Sequence, residues 1–125
     1  MREIEASPEV AFDFAHAKLR DAAYEATSLA RRRLLHRRAA DLLRAEGGSR
    51  DDPGRLVQIA THERAAGRDA DAAEAFREAG LRARALYANH EAGAHFETAL
   101  ALGHADAAGI QLALGELRTA QGDYV

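Results

Sequence analysis

The stretch AAGRDADAAEAFREAG, residues 65–80, decides how this chain folds. Gly67 ends one helix in the way C-terminal glycines do, and Asp69 is placed to cap the next. Ala72, Phe76 and Ala79 then recur at offsets of four and seven, which is one face of a helix and not the alternation of a strand. The chemistry of that face is specific. Ala72 and Ala79 let a neighbouring helix come close, and Phe76 between them fills the gap that two small side chains leave. Gly80, inside the run, weakens the helix by roughly 1 kcal/mol without forbidding it.

The same internal spacing returns in YANHEAGAHFETALALG, residues 87–103, where Ala92, Phe96 and Ala99 occupy the matching positions. A third, partial copy is LGELRTAQGDY, residues 114–124, with Leu114, Gly115, Gly122, Asp123 and Tyr124. These segments resemble the tetratricopeptide repeat, which implies antiparallel helical hairpins stacked as a right-handed solenoid. Ala72 and Ala92 are only 20 residues apart, short of the roughly 34 of a standard repeat. The helix carrying Phe76 is therefore expected to serve two neighbouring hairpins. In such repeats the sequence GDY opens the second helix of a hairpin, so the chain reads as a piece of a longer protein.

Outward from this core the pattern predicts about six helices. Asp13 is placed to cap the first, with Ala15, Leu19, Ala22, Ala23 and Ala26 on one face; Thr27 and Ser28 interrupt it. A second runs over 29–46 with Leu35, Ala39, Leu42 and Leu43, and Gly47 and Gly48 end it. Ser49 to Asp52 read as a surface loop. Asp52 as N-cap and Pro53 at the first helical position start the third helix, with Leu56, Ile59 and Ala60 inward. The fourth follows Asp69 and carries Ala72, Phe76, Ala79, Ala83 and Tyr87. The fifth follows Asn89, and the sixth spans about 105–121, where Leu112 and Leu117 are expected to lie open to solvent or to another chain. Connections this short turn each helix back on the last. Two regions follow: an N-terminal helical hairpin over 1–48 and the repeats over 49–125.

Composition agrees with an all-α class. The 125 residues are 47% hydrophobic and 30% charged, with 6% aromatic and only two prolines. That balance is globular and leaves little room for disorder. There is no cysteine, which removes disulfide frameworks and thiolate chemistry. No apolar run approaches the roughly 20 residues a membrane helix needs. The N-terminus lacks the layout of a secretion signal, and the cytoplasm is the expected compartment. A net charge of −3 argues against wholesale nucleic-acid binding.

The segment FDFAHAKLRDAAYEATSLARRRLLHRRAADLLRA, residues 12–45, narrows the family. Phe14, His16, Leu19, Arg20 and Tyr24, followed by Arg31, Arg32, Arg33, His36, Arg37 and Arg38, resemble the region just after the nucleotide-binding and winged-helix part of large bacterial signal-responsive ATPases, including LuxR-type transcriptional regulators and ATPases fused to cyclase or kinase modules. Ala17 and Lys18 depart from that pattern, which usually has a more apolar pair. The resemblance implies a non-catalytic repeat region that senses an inducer or a protein partner, or that contacts the parent protein's own ATPase domain.

Site chemistry is sparse. Residues 29–46 hold six arginines against two carboxylates, and Arg31, Arg32, Arg33, Arg37 and Arg38 are candidates for an interdomain or phosphate contact. The bland reading, a solvated or salt-bridged helix face, has the larger weight, because leucines divide the run and no aromatic interleaves with it. The alternative function is a DNA-contacting helical hairpin centred on Arg31–Arg38, with Thr27–Ser28 as its turn. Partner binding is assigned to Arg77, Arg84, Tyr87, His90 and His95, on the face shared by the fourth and fifth helices. His90 and His95 are five apart, which is not metal-ligand spacing on a helix. His36 and His62 read as half-buried polar residues at helix contacts, and Glu63, Glu74 and Glu78 as solvated carboxylates. No phosphate-binding loop and no nucleophile elbow occurs, so neither enzyme activity nor a cofactor is expected. A homodimer through the exposed end of the solenoid is a further expectation.

Overall fold

A computed structural model of the chain describes residues 8–46 and 52–120. All regular structure among them is α-helical, and no strand occurs. Five helices are described: α1 (Pro8–Ala45), α2 (Pro53–Ala65), α3 (Asp69–Ala85), α4 (Asn89–Ala101) and α5 (Ala107–Ala120). None is long and apolar enough to cross a membrane. The chain divides into two compact units, Met1–Arg32 and Arg33–Val125, and the division falls within α1. The boundary expected at 48–49 and the GDY segment lie outside the described residues.

The two helices expected on either side of Thr27–Ser28 are one. No glycine or proline stands between Pro8 and Gly47, and Thr27 satisfies its hydroxyl inside the helix by donating to the carbonyl of Ala23 at 2.9 Å. A threonine bonded back by four residues fits a helix interior with little penalty. The inward stripe also differs. His36, Ala39 and Leu43 are half-buried and Ala40 is fully buried, whereas Leu35 and Leu42 are 56% and 67% exposed.

From α2 onward the small–aromatic–small pattern does what its chemistry demands. The core holds Ala60, Ala75, Phe76, Ala83, Ala92, Phe96, Ala99, Ile110 and Leu114. Helix α3 packs against α2 and also against α4, and α4 packs against α5. Gly80 is the reason α4 sits so close. A Cβ at that position would fall 2.7 Å from the Phe96 ring. Leu117, expected to be open, is buried; Leu112 is 66% exposed.

Three turns share one construction. In each, the residue after the helix cap adopts a left-handed φ: Gly67 at 83°, Tyr87 at 63° and Gly103 at 83°. The amide of Arg68 donates to the Glu63 carbonyl, that of Ala88 to Ala83 and that of His104 to Ala99, at 2.8, 2.9 and 3.1 Å. Each left-handed residue closes the inner bond, to Arg64, Arg84 and Leu100 respectively. This is the Schellman motif. The first two turns are so tight that the residue after the left-handed one already serves as N-cap of the next helix. Arg68 and Ala88 hold those slots, and Asp69 and Asn89, expected as caps, are the first helical residues. Asp52 does cap α2, accepting from the Gly54 amide at 3.0 Å, and Asp106 accepts from the Gly109 amide at the start of α5.

Candidate functional site

Polar side chains within the second unit form three groups. The first joins the end of α1 to α2. Glu63 is only 2% exposed, and Arg44 grips it with Nη2 at 2.9 and 3.0 Å from the two carboxylate oxygens and Nε at 3.2 Å. Donating to the Glu63 carboxylate raises the Arg44 pKa. His36, about two turns before Arg44, and His62, next to Glu63, face each other with Nδ1 atoms 2.9 Å apart. Both are half-buried at a helix contact, as their positions implied. Arg55 completes the join by donating to the carbonyls of Leu43 and Glu46. A cleft of about 310 Å³ lies beside this group, floored by Leu43, Leu56 and Ile59, with Arg44, Arg55 and Glu78 at its rim.

The second group ties α3 to the α4–α5 connection. Glu74 accepts from Arg77 at 2.6 and 3.0 Å and lies 2.7 Å from His104 Nε2. His104 Nδ1 accepts the Asp106 amide at 2.9 Å, which fixes the tautomer and makes Nε2 the donor to Glu74. The Arg77 guanidinium, helped by His104, holds the Glu74 carboxyl down at about 2. Glu63, expected to be solvated, is a buried carboxylate, and Glu74, with 45% of its side chain exposed, is held by Arg77 and His104. Glu63 meets a cation from α1, and Glu74 meets Arg77 of its own helix together with His104 from the α4–α5 connection; periodicity within one helix does not report Arg44 or His104.

The third group holds the residues assigned to partner binding, and they are not equivalent. Arg77 is engaged by Glu74. Arg84 pairs with Glu116 at 3.2 Å and lies 6.0 Å over the Phe96 ring. His95 is half-buried, 6.3 Å from the Phe76 ring, and burial pushes its pKa down. Tyr87 and His90 remain exposed, Tyr87 at 89%. His90 lines an open groove of about 230 Å³ between α4 and α5, with Ala94, Glu97, Leu114, Leu117 and Arg118; Tyr87 precedes that groove in the chain and is not part of its lining. The signal for Tyr87 was present in the sequence: residues 67, 87 and 103 each follow a helix at a similar offset, and only one is not glycine.

Arg31, Arg32, Arg33, Arg37 and Arg38 are exposed on α1. The turn that a DNA-reading hairpin would need at Thr27–Ser28 is continuous helix. Among the described residues no group of three or more histidine or carboxylate side chains is placed to hold a metal ion. No family model, curated protein or solved structure matches the chain.

Proposed function

We propose that this chain is a non-catalytic helical-repeat module that binds a protein partner through Tyr87 and through His90 at the α4–α5 groove. In this reading α2–α5 stack as tetratricopeptide-like hairpins in a right-handed solenoid. The resemblance of residues 12–45 to signal-responsive ATPases supports a place in the regulatory region of such a protein, whose own ATPase domain is one candidate partner. One observation carries the assignment. Tyr87 occupies a left-handed turn slot that its two sister turns fill with glycine, and it holds a large aromatic ring almost wholly in solvent there. A non-glycine residue in that conformation costs about 1 kcal/mol, and such strain persists where function requires it. Exposed tyrosines are also the side chains that anchor protein interfaces.

The test is a trade-off. Tyr87→Gly should raise stability by about 1 kcal/mol, as relief of a left-handed non-glycine residue does. A photo-reactive amino acid at position 90 should form a discrete adduct with the partner in cells, and Tyr87→Gly should abolish it. An adduct that survives both Tyr87→Gly and Arg118→Glu would overturn this reading of the surface.

A further inference from the structure

Helix α1 presents a second seam. Phe12, Ala15, Leu19, Ala22, Ala26 and Leu29 follow one another at steps of three, four, three, four and three, the a/d spacing of a coiled coil. The aromatic and aliphatic members are bare: Phe12 is 69%, Leu19 71% and Leu29 42% exposed. The same register continues along the sequence to His36, Ala40 and Leu43, the residues that α1 turns toward α2 in the second unit. A single helix without a packed face is marginal in water.

We infer that residues 12–29 of α1 form an antiparallel two-helix coiled coil with a second copy of this chain. The charges select both the occupant and its direction. In a parallel pair Phe12 and Leu19 would each face their own copies, alanine would face alanine, and Lys18 and Glu25 would face Ala23 and Ala30 with no charge partner across the seam. Reversing one helix changes both. Phe12 then meets Leu29 of the second copy, Ala15 meets Ala26, and Leu19 meets Ala22, a large side chain against a small one. Each contact occurs twice by the two-fold axis. The same reversal brings Lys18 beside Glu25 of the second copy, and the two-fold axis repeats the pair on the same flank of the seam. Lys18 otherwise rests 5.4 Å over the Phe14 ring of its own helix. The arrangement is independent of the α4–α5 groove.

Light scattering on the full chain gives the mass, which should be that of a dimer. Leu19→Glu should yield a monomer whose α2–α5 amides keep their hydrogen-exchange protection. Lys18→Glu should weaken dimerisation about tenfold, because two attractive pairs become repulsive, and adding Glu25→Lys should restore it. The chain has no cysteine, so orientation can be read by oxidation. A mixture of Phe12→Cys and Leu29→Cys chains should cross-link with each other. A monomeric wild-type chain, a dimer that survives Leu19→Glu, or Phe12→Cys cross-linking to itself would each overturn the inference.

Discussion

Among single residues, Glu63 shows how burial makes the two ends of one ion pair unequal. Arg44 keeps 43% of its side chain exposed, Glu63 only 2%. Arg44→Ala strands a buried carboxylate and should cost about 3 kcal/mol, toward the value for breaking a buried pair. Glu63→Gln leaves an arginine that can turn to water and an amide that still hydrogen-bonds, so about 1 kcal/mol is expected. Urea denaturation of the two variants checks the order, and equal losses would contradict the asymmetry. Glu74 gives a pH signature instead. Its pKa falls from 4.5 to about 2 on folding, so its contribution is complete above 4.5 and drains away as the pH drops toward 2. With 45% of that side chain exposed, solvent screening limits the contribution to about 1 kcal/mol or less. Stability measured from pH 5 to about 2.5 should fall less steeply in Glu74→Gln than in the wild type. His95 adds an acid-side loss of its own. Its depressed folded pKa means the unfolded chain takes up the proton first as the pH drops below 6.5, and stability declines from there.

At the level of elements, the two phenylalanines should differ. Phe96 is 1% exposed and lies over Gly80, whereas Phe76 is 8% exposed and shares its edge with His95. Phe96→Ala should cost about 4–5 kcal/mol and Phe76→Ala about 3, from transfer plus cavity. Gly80→Ala should destabilise by about 1–2 kcal/mol despite the better helix propensity, because the methyl group overpacks the ring. If Gly80→Ala proved neutral in the Phe96→Leu background, the clash would be confirmed as its cause. These elements were legible in the sequence because their packing is local: an Ala–Phe–Ala face, a glycine stop and a Pro53 start all act within one or two turns. Helix α1 was not. Thr27–Ser28 resembles a cap only if the chain turns there, and nothing within those residues decides between a capping hydroxyl and one bonded back to Ala23. The Arg44–Glu63 and His104–Glu74 pairs were equally hidden, since their partners lie 19 and 30 residues apart.

Over the whole molecule, buried side chains and exposed apolar ones are distributed unevenly. Every buried residue among those described lies at or beyond Ala40, while Val10, Phe12, Phe14, Leu19 and Tyr24 are more than half exposed. Stability, which scales with apolar area removed from water, should therefore reside in the second unit. A chain beginning at Ser28 tests this, because the serine hydroxyl can cap the shortened helix and His36 then sits two turns inside it. Its melting temperature should stay within about 4 °C of the Leu19→Glu monomer, a change below about 1 kcal/mol for a domain of this size. The comparison must be made with that monomer, since dimer formation would raise the wild-type value by mass action and make it depend on concentration. A drop of more than about 10 °C would mean that residues before Ser28 support the α2–α5 core directly. In that case the exposed leucine and phenylalanine side chains of α1 would have to be read as part of the stability of α2–α5 and not as a surface held open for association.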